Sequence, residues 1–244
     1  MSGLELLRLL IGTGFFVYAS ILDLKTRRVR NNVWLALGFL ATLLFVFDWA
    51  TGRFDWIDAL VALGAIALMY GLWYIHVLAG GADAKALMAV SVLLPQPLVW
   101  TLSGVPLPLW RSEMPGVIVV LANSVLVFAL APLLLFLFNA SRGHFQFPSM
   151  FLGYTLPLER ARKAQVWIVN HVDEEGRERK LLFPSALTDE AYDANIARLE
   201  SRGVKRVWVT PKLPFMVSLL FGYLATFFVG DVLFKLVSTV VERI

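Results

Sequence analysis

The 244-residue chain is 58% hydrophobic and 16% charged, against roughly 25% charged residues in an ordinary soluble domain, so its composition is that of a membrane protein. Cysteine is absent, which excludes disulfides, thiolate catalysis and zinc sites built on Cys; His76, His144 and His171 are too scattered to form a metal motif. The formal charge of +4 reads as membrane-topology signal and not as a nucleic-acid footprint, and nothing in the sequence asks for a cofactor.

A membrane helix needs about 20 mainly apolar residues, and stretches of that kind can be drawn at 4–22, 32–48, 57–79, 84–102, 115–138 and 213–236. Six spans are therefore expected. The first carries only Glu5 and Arg8 at its head and reads as a retained span, not a cleaved signal peptide. The fourth is the weakest, since Pro95 and Pro97 lie inside it and proline kinks or breaks a helix.

The loop after span 1 holds Lys25, Arg27, Arg28 and Arg30, whereas the loop after span 2 holds Asp48, Arg53, Asp55 and Asp58. The positive-inside rule makes the first loop cytoplasmic. Alternation then puts the turn at 80–85 and the long segment 139–212 on the same side, and both termini outside. The basic residues of 139–212, among them Arg160, Arg162, Lys163, Arg202 and Lys205, agree.

That segment has its own texture. Gln165 to Asn170 is β-branched and aromatic, Asp173-Glu174-Glu175-Gly176-Arg177 is a turn, and Lys180 to Phe183 resumes a strand. Thr188 caps a helix running to about Ser201, stopped by Gly203, and Val204 to Thr210 reads as a further strand. The expected fold is an all-α polytopic membrane bundle of six transmembrane helices with a small α+β (β-β-α-β) cytoplasmic insert before the last helix. The domains are 1–138 with five spans, 139–212 as the insert, and 213–244 as the sixth span and tail.

Two carboxylates stand out. Asp23 closes span 1, and Asp83 opens span 4 within Gly80-Gly81-Ala82-Asp83-Ala84-Lys85. Parity places both at the cytoplasmic face, and an ionisable group at the edge of a span is a functional candidate. A pair sharing one proton can hydrolyse a peptide bond: the ionised carboxylate activates water while its protonated partner donates to the scissile carbonyl. The plainer alternative is that each acid caps a helix or pairs with Lys25 or Lys85.

Gly80-Gly81-Ala82-Asp83-Ala84-Lys85 resembles the GxGD motif of intramembrane aspartyl proteases, in the form of archaeal preflagellin and type IV prepilin peptidases. Asp23 to Asn32 resembles that family's first aspartate motif, and Val209 to Asp231 resembles its archaeal branch. Ala82 stands where the motif has its second glycine, and Val29-Arg30 replaces Ile-Pro. The resemblance implies a membrane aspartyl endopeptidase that removes the short basic leader of prearchaellin or a related prepilin-like precursor, with Asp23 and Asp83 catalytic, no metal and no cofactor. Because the cysteine-rich insert of the bacterial enzymes is missing, methyl transfer is not expected.

Gly80, Gly81, Ala82 and Lys85 are expected to support the site. The helix N-terminus and Lys85 should favour the charged form of Asp83, making it the base and Asp23 the acid. Glu159, Asp173, Glu174 and Glu175 are candidate contacts for basic leader residues. The expected partners are the precursor and the lipid bilayer, not nucleic acid. The rival reading is a proton-coupled transporter using Asp23 and Asp83 as relay carboxylates; it lacks ionisable groups at several depths.

Overall fold

The structure, a computed structural model, describes residues 2–78, 80–173, 176–181 and 188–242. The chain divides into two compact units, one formed by Met1–Phe128 with Pro214–Ile244 and the other by Ala129–Leu213.

The first unit opens with α1 (Ser2–Thr26), α2 (Asn31–Ala50), α3 (Trp56–Tyr74) and α4 (Gly81–Leu93). There follow a small antiparallel hairpin of β1 (Trp100–Leu102) and β2 (Val105–Leu107) and the long α5 (Gly116–Ala140), which runs on into the second unit. Among the described residues, four helices, α1, α2, α3 and α5, are long and apolar enough to cross a membrane. Their outward faces carry Leu35, Phe39, Leu63 and Leu134, all more than 60% exposed. Rings and aliphatics in such numbers on the outside fit a lipid solvent and not water.

α4 is the centre of this unit. Ala84, Ala86, Leu87, Ala89, Val90 and Leu93 are all buried, and α2 and α3 pack on it from two sides. Its alanines let the neighbouring backbones come close. The expected fourth span at 84–102 is corrected here: the helix has 13 residues, or about 20 Å at 1.5 Å per residue, short of the ~30 Å hydrocarbon core. Leu94 ends it and Pro95 and Pro97 prevent its resumption. The chain beyond turns into the β1–β2 hairpin, whose Trp100 is buried and donates its indole N–H to the Phe227 carbonyl at 2.8 Å.

The expected third span is also too long. α3 stops at Tyr74, and His76 lies beyond it, exposed and left-handed at φ 62°.

The second unit contains α6 (Ser149–Leu152), β3 (Tyr154–Pro157), α7 (Leu158–Lys163), β4 (Val166–Ile168), β5 (Asn170–Val172), β6 (Glu178–Lys180), α8 (Asp189–Ser201) and β7 (Arg206–Pro211). Strand β7 lies between β3 and β4, antiparallel to both, and β5 pairs with β6 as a hairpin. Ile168, Val172, Val207 and Val209 face Ile196 and Leu199 of α8 to make its core. Thr188 accepts the Ala191 N–H and caps α8 as expected, and Gly203 at φ 69° follows its end. Buried Asn195 ties α8 to the hairpin by accepting the Val172 N–H at 2.8 Å and donating to the Asn170 carbonyl at 2.9 Å. The β-β-α-β expectation omitted β3 and α7, which precede it; residues 182–187, including the end of the expected Lys180–Phe183 strand, lie outside the described residues.

The chain then returns to the first unit as α9 (Phe215–Phe228) and α10 (Val232–Val241), so the expected single helix at 213–236 is broken. Gly230 adopts φ 96°, where a side chain would also strike the Trp110 carbonyl. The peptide groups freed by the break are satisfied inside the protein: Trp110 N–H bonds the Val229 carbonyl at 2.8 Å, Asp231 N–H bonds the Trp110 carbonyl at 3.1 Å, and buried Asn123 donates to the Gly230 carbonyl at 2.8 Å. Irregular backbone in a membrane protein needs such internal partners. Asp231 is buried and caps α10 through the Phe234 N–H while accepting from Ser112.

Candidate active site

Two contacts fix how α1, α2 and α4 run. At one end, the Lys85 ammonium in the first turn of α4 donates to the side-chain carbonyl of Asn31 in the first turn of α2 at 2.8 Å. At the other, Arg8 near the start of α1 pairs with Asp48 near the end of α2. Helices α1 and α2 are therefore antiparallel, α2 and α4 start at the same end, and α1 finishes there. Asp23 lies in the last turns of α1 and Asp83 in the first turn of α4, so the two expected aspartates come to one end of the unit. Both are half-buried.

The backbone at Asp83 explains the glycine before it. Gly80 is the N-cap of α4, in extended conformation, and its carbonyl accepts the Ala84 N–H at 3.2 Å. A Cβ at Gly80 would collide with the Asp83 carboxylate, so the glycine leaves room for that group to fold back over its own helix start. Gly81 faces the Trp73 indole, where an added Cβ would sit at ordinary contact distance, 3.5 Å. Ala82 is a helical position and packs against the core, which is why alanine can replace the motif's second glycine without backbone strain.

Lys85 reaches across to α2. Its hydrogen bond is to Asn31, and the side chain is exposed; Asn31 thus fastens two helices, and the N-cap of α2 is Arg30. Asp23 is not at the tip of its helix either, because α1 continues to Thr26 and closes with the Arg27 N–H on the Asp23 carbonyl at 3.0 Å. Asp83 keeps its expected place in the first turn of α4.

The acidic candidates of the second unit separate. Glu159 is exposed on α7. Asp173 is occupied by its own turn, accepting the Arg177 N–H at 2.7 Å and the Arg177 Nε at 3.1 Å, with Arg179 at 3.8 Å. The Arg177 N–H above all, with the two guanidinium groups, holds its carboxyl below the ordinary carboxylate range. Glu174 and Glu175 lie outside the described residues.

One cluster escaped the sequence reading. Arg8 and Asp48 are buried, Glu5 chelates Arg8 with both oxygens at 3.0 and 2.9 Å, and Arg53 approaches Asp48 at 3.5 Å. Tyr223 of α9 adds a bond to the Arg8 carbonyl at 2.7 Å. The cluster sits at the end opposite the aspartates and clamps α1, α2 and α9. The only sequence signal was a lone arginine in an apolar stretch, which demands a partner. Among the described residues no group of His, Asp and Glu is arranged to hold a metal.

Comparison with known proteins now bears on the site. The model described as the type IV leader peptidase family matches residues 10–141, more than half of the chain. The chain belongs to the type IV leader peptidase family. The model for the archaeal peptidase A24 C-terminus, type II, matches residues 146–232. Among curated proteins the chain is similar to the preflagellin peptidase of Methanococcus voltae, 28% identical over 235 residues that cover 93% of this chain and 97% of the relative. It is also similar to the preflagellin peptidases of Methanocaldococcus jannaschii, at 26% identity with 93% and 95% covered, and of Methanococcus maripaludis, at 24% with 91% and 94% covered. The chain is thus an enzyme of a peptidase family, and these matches give the transporter reading no support.

Proposed function

We propose that the chain is a membrane aspartyl endopeptidase that removes the short basic leader of prearchaellin, or of a related type IV prepilin-like precursor, with Asp23 and Asp83 as its catalytic pair. The observation that carries this reading is the arrival of two half-buried acids, sixty residues apart in sequence, at one end of the first unit, in a chain of the leader peptidase family whose relatives are preflagellin peptidases.

In the reaction, the pair holds one proton. The ionised carboxylate takes a proton from water, the water oxygen bonds to the scissile carbonyl carbon, and the other carboxyl gives its proton to the carbonyl oxygen. Collapse of the tetrahedral intermediate breaks the C–N bond: the leaving amine takes the proton from the protonated carboxyl, and one hydroxyl of the intermediate gives its proton to the ionised one, so the pair again holds one proton. A helical substrate hides its carbonyls, so the scissile stretch unwinds before attack.

The topology proposed with it has six crossings: α1, α2, α3, α4 completed by the chain after Leu94, α5, and the broken α9–α10. The membrane part is 1–138 with 213–244, the segment 139–212 is cytoplasmic, the aspartates are at the cytoplasmic face of the cell membrane, and both termini are outside. Exposed Glu159 is the acid best disposed to meet a basic leader. Incubating the membrane-reconstituted chain with archaellin-type and pilin-type precursors, and locating the cut by mass, tests the activity. Precursors of both types left intact would remove it.

A further inference from the structure

The second unit carries aromatic rings with cations over them. Arg142, two residues past α5, lays its guanidinium over Phe138 at 4.1 Å. Phe145 and Phe147 follow, 69% and 80% exposed. Seven residues of extended chain reach about 25 Å at most, so these rings cannot lie far from the end of a helix that is itself apolar enough to cross a bilayer. Large rings in that position belong to the zone between hydrocarbon and water.

The sheet repeats the pattern. The Lys212 ammonium lies 3.8 Å from the centre of the Trp167 ring and the Lys180 ammonium 5.0 Å from that of Trp208. Trp167 pairs across the ladder with Thr210, which puts the two side chains on one face. Trp208, two residues from Thr210, shares that face, while Val209 between them is buried in the core. Phe147, Pro148, Lys180, Leu181, Trp208 and Thr210 line a cavity of about 240 Å³. Among the described residues no carboxylate forms an ion pair with Arg142, Lys180 or Lys212. A lysine over a ring keeps its charge and its donors, so this face offers cations set among apolar rings, close in sequence to membrane helices on either side.

We propose that this face of the second unit binds the headgroups of anionic lipids, with Lys180 and Lys212 donating to phosphate oxygens and Phe145, Phe147, Trp167 and Trp208 resting in the interfacial zone. Charge complementarity selects the anionic headgroup, and the short chain from α5 to Phe147 keeps the face within reach of it. Partial desolvation already holds the Lys180 ammonium below the ordinary lysine range; a phosphate beside it would relieve that cost. The site does not involve the aspartates.

The absence of cysteine makes the test clean. The full chain, carrying an environment-sensitive fluorophore at Phe145→Cys, is reconstituted into vesicles of phosphatidylcholine alone or with phosphatidylglycerol. A second protein labelled at Asp193→Cys, on the exposed side of α8, serves as control. Position 145 should emit as in a membrane interface, be quenched by lipids with a nitroxide near the headgroup, and respond more strongly with phosphatidylglycerol; position 193 should stay aqueous. Lys180→Gln with Lys212→Gln should lower the phosphatidylglycerol preference about thirtyfold. Aqueous emission at 145 in both vesicles, or aqueous emission changed only by added precursor, overturns the proposal. So does an interfacial signal indifferent both to phosphatidylglycerol and to the lysine substitutions, which would make the contact apolar only.

Discussion

The Lys85 ammonium donates to the Asn31 side-chain carbonyl at 2.8 Å, so the first turn of the helix carrying Asp83 is fastened to the first turn of α2. On this geometry Lys85 is expected to act by positioning α4. Lys85→Met and Asn31→Ala should each slow cleavage by at most about tenfold, as befits an exposed polar pair worth ~1 kcal/mol or less. The double variant should be no worse than either single one, because both remove the same contact. The pH-rate profile should keep its limbs in all three. A limb displaced by Lys85→Met but not by Asn31→Ala would assign the lysine an electrostatic role instead.

Gly80→Ala should lower kcat by about a hundredfold or more, since the new Cβ takes the space of the Asp83 carboxylate and an ångström of misplacement costs roughly that much. Ala82→Gly should leave the rate within a few-fold, because the position is helical and needs no special backbone freedom. Steady-state cleavage of a precursor by both variants checks the contrast. Equal losses would show that Gly80 serves the fold and not the placement of Asp83.

The Arg8–Asp48 pair should matter for stability and little for chemistry. Arg8→Met leaves buried Asp48 with only Arg53, and Asp48→Asn leaves buried Arg8 with only Glu5, so each should cost part of the about 3–5 kcal/mol that an unpaired buried charge costs. Arg8→Met combined with Asp48→Leu should recover part of it, since no buried charge of the pair is then left alone. Unfolding followed in detergent reads the difference, and the folded fraction of each variant should still cleave.

Asp173 supplies a pH dependence outside the membrane helices. Its folded-state pKa lies below the ordinary 3.8, chiefly through the Arg177 N–H. Its contribution to the turn is therefore present above the unfolded value and lost as pH falls below about 4 through the folded one. Hydrogen exchange at the Arg177 amide should show protection at pH 5 that fades on acidification, and Asp173→Asn should abolish that change. Because its charge is already engaged by two arginines, Asp173→Asn should leave the apparent affinity for a basic leader within about twofold, whereas Glu159→Gln should weaken it at low salt.

Much of this was legible in the chain, and the failures have physical causes. Long uninterrupted apolar runs located α1, α2 and α5 to within a few residues, because hydropathy over twenty positions leaves little room for another reading. Thr188 and Gly203 marked α8 because caps are local chemistry. Span 4 was overdrawn because Leu98 and Trp100 are apolar and buried whether they sit in a helix or in the irregular chain and hairpin that follow α4, and only Pro95 and Pro97 hinted at the second. The break at Gly230 depends on Trp110 and Asn123, more than a hundred residues earlier in the chain, which no window sees. The same holds for Arg8 and Asp48: each looks like a helix-end charge until the fold joins them. For Asp23 and Asp83, parity, a crude but long-range rule, predicted a common level, and the structure brings the end of α1 and the start of α4 to one end of the first unit.

The most direct test of the catalytic pair is cleavage by Asp23→Asn and Asp83→Asn in the reconstituted chain, each first shown to be folded in the membrane, with product located by mass. Each substitution removes the ability of the pair to hold one proton and one charge, so each should reduce precursor cleavage below detection while the wild type cuts between leader and hydrophobic helix. Undiminished cleavage by either folded variant would contradict the account.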